Sequence, residues 1–122
     1  MDVDEITERI IGCAIEVHRH LGAGLLESVY EAALLAELDD NGLVAERQKP
    51  VPVTYKGRSI GDFRLDLLVE GCVVVELKSV ERFEPLFDAQ VLGYMRLGGY
   101  HTALLINFNT RLLKHGVKRF VI

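Results

Sequence analysis

Cysteine is scarce in this chain: Cys13 and Cys72 are the only two, and no C-x-x-C spacing joins them. That excludes a disulfide framework and a cysteine zinc site as organising elements, and reduced thiols of a cytoplasmic protein are the simplest expectation. Long apolar runs are also missing. Stretches such as Val73-Val74-Val75 and Ala103-Leu104-Leu105-Ile106 fall far short of the roughly 18 to 20 residues that a membrane-spanning helix requires. There is no surplus of positive charge either. A net charge of −4 excludes the blanket electrostatic binding of a nucleic-acid coat protein and confines any nucleic-acid contact to a local surface. The acidic start, Met1-Asp2-Val3-Asp4-Glu5, lacks the basic region and apolar run of a secretory signal.

What is present suffices for a core. The 122 residues are 49% hydrophobic and 26% charged with three prolines, the composition of one folded domain spanning residues 1–122 and not of a disordered chain.

Apolar residues at Ile6, Ile10, Cys13, Ala14, Val17 and Leu21, after a capping pattern at Asp2 and Glu5, predict a helix from about Val3 to His20. Gly22 and Gly24 break it. A second helix starts near Leu25, carries Leu26, Val29, Tyr30, Ala33, Leu34 and Leu38 on one face, and stops at Asn41-Gly42. The period then changes. Val51, Val53 and Tyr55 alternate, Lys56-Gly57 turns, and Phe63, Leu65, Leu67 and Val69 alternate again, which places them on one face with Arg64 and Asp66 on the other. Glu70-Gly71 turns into an apolar strand, Val73 to Lys78. Pro85 opens a helix to about Leu97, closed by Gly98-Gly99, and His101 to Phe108 forms a fourth strand. The residues from Asn109 to Ile122 are compatible with a short edge strand or a partner-binding tail. The expected class is α/β (α+β), in the order ααβββαβ, with a mixed sheet of about four strands.

Chemistry concentrates in the hairpin. Glu76 and Lys78 share a face while Val75 and Leu77 point into the apolar layer. Asp66 is the polar exception in an apolar strand. A three-residue loop, Glu70-Gly71-Cys72, sets Asp66 opposite Glu76; a two-residue Glu70-Gly71 turn sets it opposite Val75 unless a bulge intervenes. In the first register two carboxylates repel unless a cation lies between them. Mg²⁺ takes one or two carboxylates plus substrate phosphate, and Lys78 is then placed to orient the attacking water.

At these residues, Asp66 and Glu76-Leu77-Lys78, the chain resembles the PD-(D/E)XK nuclease superfamily. More narrowly it resembles the small bacterial and archaeal proteins of the GxxExxY family, whose motif stands here as Gly24-Leu25-Leu26-Glu27-Ser28-Val29-Tyr30. The likeness extends over Glu46-Arg47-Gln48, Val51-Pro52-Val53, Phe63 to Val69, Gln90 and Leu105 to Asn109; Leu65 stands where such proteins commonly have a smaller residue. It implies a restriction-endonuclease-like core, Mg²⁺ or Mn²⁺ as cofactor, and nucleic acid as substrate, DNA ahead of RNA. Glu27 becomes a further acid at the metal, against the alternative of an anion at a helix N-terminus. Tyr30 reads first as a core aromatic with its hydroxyl satisfied at the edge. Gln90 and Tyr94, four apart on a helix, are similar to a pair in RecB-like exonucleases that helps hold the site.

His18 and His20 point to different faces and cannot form a helical zinc pair. Arg47, Lys49, Lys56, Arg58, Arg64 and Arg82 flank the site strands as a solvated face or a phosphate-binding rim. The expected function is metal-dependent phosphodiester hydrolysis with Asp66, Glu76, Lys78, Glu27 and Gln90 at the site, duplex cutting being easiest from a homodimer. The alternative is a catalytically silent module of the same fold that acts through a protein partner.

Overall fold

In a computed structural model describing residues 1–122, Asp2 accepts a hydrogen bond from the Glu5 backbone N–H at 2.9 Å and opens helix α1, Val3–Leu21. Its stripe of Ile6, Ile10, Cys13, Ala14 and Val17 is buried as the periodicity predicts. Helix α2, Glu27–Asp40, starts two residues later than predicted. Its buried stripe is also narrower: Tyr30, Leu34 and Leu38, at i, i+4 and i+8, together with Glu31. Leu26 and Val29 face outward.

Strands β1 (Ala45–Tyr55), β2 (Arg58–Val69) and β3 (Val73–Lys78), helix α3 (Pro85–Gly98) and strand β4 (Thr102–Asn107) follow. The residues after β4 resolve in favour of the edge strand: a short 3₁₀ turn at Leu113–Gly116 leads into β5, Val117–Val121. The sheet therefore has five strands, not four, in the order β1-β2-β3-β4-β5. Only β3 and β4 are parallel, and α3 provides the crossover that a parallel pair needs. Pro50 and Pro52 sit in β1, an edge strand, where a missing N–H is tolerated.

Two apolar layers cover the sheet. Leu67, Val69, Val73, Val75, Leu77, Leu104 and Ile106 pack under α1 and α2 with Tyr30 and Phe108. Val51, Leu65, Leu68, Val74 and Leu105 pack under α3 with Val91 and Met95. Leu65 thus lies on the opposite face from Leu67, against the simple alternation that puts Phe63, Leu65, Leu67 and Val69 together. The cause is a local break in β1 and β2. Arg47 pairs with Leu67 and Lys49 with Leu65, but Gln48, at a left-handed φ of 52°, and Asp66 opposite it form no ladder pair. This α/β/α arrangement is the one expected of a restriction-endonuclease-like fold. No helix is long and apolar enough to cross a membrane.

Candidate active site

The turn between β2 and β3 decides which carboxylates meet. Glu70 and Gly71 both take left-handed φ, 52° and 68°, and the Cys72 N–H closes the turn on the Val69 carbonyl at 3.1 Å. Cys72 is then skipped by the ladder, so that Val69 pairs with Val73, Leu68 with Val74 and Leu67 with Val75. A tight turn plus one extra residue gives the register of a three-residue loop, and Asp66 comes to face Glu76.

The β2–β3 ladder stops at Leu67, and the next two residues plug the fork with their side chains. Glu76 Oε1 accepts from the Asp66 backbone N–H at 3.2 Å, and Asp66 Oδ2 accepts from the Leu77 N–H at 2.8 Å. Glu76 is 7% exposed. Burial first, and the neighbouring Asp66 charge second, push its carboxyl up to about 9. Burial also raises Asp66, opposed in part by the hydrogen bond from Leu77. The fork therefore holds a proton that a cation could replace.

Lys78 lies on the same side of β3 as Glu76, but its Nζ rests 4.5 Å from the centroid of the Phe87 ring. It forms no ion pair with either carboxylate, unlike the Lys49–Glu46 and Lys118–Asp88 pairs elsewhere. Tyr94 stacks on Phe63 at 4.4 Å, and its hydroxyl is raised by burial and then by the charges of Glu76 and Asp66. Gln90 stands one turn earlier on α3, half-buried.

From the other face α2 contributes acids. Glu27, Ser28, Glu31, Gln48, Asp66 and Leu77 line a cleft of about 190 Å³. Larger concavities lie away from Asp66 and Glu76: those of about 500 and 590 Å³ have at most one carboxylate, Asp39, in their lining, and one of about 370 Å³ pairs Glu16 and Glu37 with Arg9. Glu27 shares the small cleft with Asp66, yet no three acidic, histidine or cysteine side chains gather closely enough to cage an ion. Glu31 is the residue that sequence reasoning passes over. It is buried, with Arg47 Nε at 2.8 Å and Gln48 Nε2 at 2.6 Å, and it adds to the upward pressure on Asp66. Its i, i+4 spacing from Glu27 was the available signal, since both must then look the same way.

The loop before α2 is tied down by Tyr30. The ring is fully buried and stacked on Phe108 at 4.4 Å, and the hydroxyl donates to the Gly22 carbonyl at 2.5 Å while accepting from the Leu25 N–H at 3.2 Å. Ser79, next to Lys78, donates to the Leu25 carbonyl at 2.6 Å. Buried Asn107 donates to the Val80 carbonyl at 2.9 Å and accepts from its N–H at 3.1 Å. The end of β3 is thereby fixed to the loop before α2 and to β4. Histidine plays no part: His18 bonds the Thr110 carbonyl and His20 bonds Glu16.

No curated protein and no solved structure matches this chain. A family model described as PD-(D/E)XK nuclease superfamily matches residues 4–120, spanning every helix and strand of the fold but for the last residue or so at either end. With the fork formed by an Asp on β2 and Glu-x-Lys on β3, the chain belongs to the PD-(D/E)XK nuclease superfamily.

Proposed function

We propose that this chain hydrolyses phosphodiester bonds in nucleic acid, with a divalent cation held by Asp66 and Glu76. The observation that carries the reading is the fork itself: two carboxylates meet where the β2–β3 ladder ends, one of them buried and held protonated near neutral pH. An all-oxygen pair fits a hard cation, and Mg²⁺ commonly takes only one or two carboxylates while keeping waters and binding substrate phosphate. When bound, Mg²⁺ or Mn²⁺ supplies charge neutralisation at the phosphate and a more acidic water.

The chain's own residues do the rest. The Leu77 N–H fixes the Asp66 carboxylate and leaves Oδ1 outside that bond. Lys78 leaves the Phe87 ring to orient the attacking water and to offset negative charge developing on the phosphorus oxygens. Water forms the new P–O bond, the bond to the leaving oxygen breaks, and the water's proton passes to solvent or to that oxygen. Glu27 assists from the α2 side, Gln90 and Tyr94 from the α3 side. The Gly24-x-x-Glu27-x-x-Tyr30 pattern, with Tyr30 closing the loop before α2, supports placing the chain in the GxxExxY group.

Purified protein incubated with labelled single- and double-stranded DNA and RNA, in Mg²⁺ or Mn²⁺, tests this. Alanine at Glu76 or Lys78 is expected to abolish cleavage; cleavage that survives both replacements in a folded protein overturns the mechanism. The resting place of Lys78 over Phe87 favours a second reading, a silent module of nuclease fold that acts through a partner. Calorimetry separates the two: no uptake of millimolar Mg²⁺ in the presence of an oligonucleotide supports the module.

A further inference from the structure

The β1–β2 ribbon extends well past the rest of the sheet. β1 and β2 pair from Ala45–Val69 out to Tyr55–Arg58, whereas β2 pairs with β3 only from Leu67 to Val69. The part beyond Asp66 is therefore a two-stranded arm, and it departs from the sheet at the candidate site. Its base is packed: Val51 is buried and Phe63 stacks on Tyr94. From Pro52 to Asp62 every residue but Val53 is exposed. Such a ribbon gains little from burial and is marginal on its own.

The arm carries a local excess of positive charge. Between Lys49 and Arg64 stand four basic residues and one acid, Asp62, in a chain whose net charge is −4. Lys49 is paired with Glu46. The others are not neutralised: Lys56 lies over the Tyr55 ring at 5.4 Å, Arg64 reaches only the Gln48 carbonyl, and Arg58 makes no ion pair. A register shift at Val53/Thr54, with Gly61 at φ 131°, bends and twists the ribbon. At ~3.3 Å per residue the tip at Arg58 lies roughly 26 Å along β2 from Asp66. Over that length one strand of a duplex presents roughly seven or eight phosphates.

We infer that the β1–β2 arm is a backbone clamp for double-stranded nucleic acid, with Lys56 and Arg58 at its tip on phosphates remote from the site. The inference rests on the nuclease reading above and adds how so acidic a chain holds its substrate. A duplex is favoured over a single strand because Tyr55 is the arm's one tip aromatic and Lys56 already covers it, so no stacking platform exists. The contacts carry no base-reading group and should be independent of sequence.

The test compares wild type with K56S/R58S, using a fluorescent 24-base-pair DNA duplex in Ca²⁺ and, separately, bis(p-nitrophenyl) phosphate in Mn²⁺. In the variant, affinity at low salt is expected to fall about tenfold or more, and the slope of log K against log salt to shrink by about 2. Hydrolysis of the small diester, which cannot reach the tip, should be unchanged. A control, R9S/R119S, removes the same charge where Arg9 bonds Asn41 and Arg119 bonds Asp4, and it should leave the slope alone. An unchanged slope in K56S/R58S, or an equal loss in the control, overturns the clamp. So does unchanged affinity together with a dimer in wild type that becomes monomer in I60D, which would make the arm a contact between copies. Wild type that binds duplex through the tip but, in Mn²⁺, hydrolyses neither that duplex nor the small diester sinks the nuclease reading and leaves the clamp standing.

Discussion

Asp66 and Glu76 each bind the other's strand: Glu76 Oε1 takes the N–H of Asp66 at 3.2 Å, and Asp66 Oδ2 takes the N–H of Leu77 at 2.8 Å. The two side chains replace the backbone carbonyls that would have continued the β2–β3 ladder. They end the pairing and keep the strand ends apart, and the same carboxylates are the proposed metal holders. Structure and chemistry are therefore entangled at this point, and substitutions must be chosen to separate them.

Asp66→Asn keeps an oxygen for the Leu77 N–H, whereas Asp66→Ala leaves that buried donor unpaired, at a cost of about 1–3 kcal/mol. Both variants are expected to lose cleavage by orders of magnitude, but only the alanine variant should melt markedly earlier. Thermal melting beside a cleavage assay checks this. Equal stability of the two would mean that the Leu77 bond carries no weight.

Burial, with the Asp66 charge second, raises Glu76 from its ordinary 4.5 to about 9. The folded state thus holds a proton that the unfolded state releases through most of the neutral range. Stability from this group is fully present below pH about 4.5 and is lost as pH rises toward about 9. In EDTA, the wild-type melting temperature should therefore fall steadily from pH 5 to pH 9. Glu76→Gln should flatten that slope and melt above wild type at pH 8 while being inactive. A variant less stable than wild type at pH 8 would show that the buried carboxyl is not under this strain.

Much of the fold and part of the site are legible in the sequence because strong local signals set them. The Asp2 cap, the α1 stripe, Pro85 and the apolar β3 and β4 lead to elements at nearly the predicted positions. The position of Asp66 opposite Glu76 was readable only as one of two parities, because both Glu70-Gly71 and Cys72 act in the turn. What alternation misplaces is Leu65, since the distortion at Gln48 and Asp66 is a pairing event across the β1–β2 hairpin, between residues far apart along it, and leaves no local pattern. β5 is not decided by the sequence for a related reason: its half-buried residues show no clean alternation, and β4 alone gives it a place. Glu31 carries no local signal of its role because its partners, Arg47 and Gln48, lie sixteen and seventeen residues away.

Gly116 packs directly on the backbone of Asn107; a Cβ there would overlap the Asn107 carbonyl oxygen and crowd Thr110. Asn107 in turn clamps Val80, two residues after Lys78. Gly116→Ala is expected to cost about 1–3 kcal/mol, as overpacking does in a site that cannot relax. It should also lower cleavage beyond what the unfolded fraction explains. Urea melts paired with activity corrected for folded protein test both parts, and a neutral substitution would show that the β4–β5 connection yields freely.

Glu31 offers the sharpest test of how α2 influences the fork. Its carboxylate side chain is 8% exposed and its partner Arg47 is 46% exposed, so loss of Arg47 should cost less than the roughly 3–5 kcal/mol of a fully buried pair, about 1–2 kcal/mol after solvent screening. The larger consequence is electrostatic. Glu31 adds to the rise of Asp66, behind burial, and Arg47 partly neutralises Glu31. Glu31→Gln removes the like charge, so Asp66 should ionise at lower pH and the acid limb of the cleavage profile should move down. Arg47→Ala leaves Glu31 less neutralised and should move the same limb up. Opposite displacements in rate–pH curves of the two variants would establish that α2 tunes the site through charge; displacements in one direction, or none, would reduce the Glu31–Arg47–Gln48 cluster to a brace for the β1 distortion.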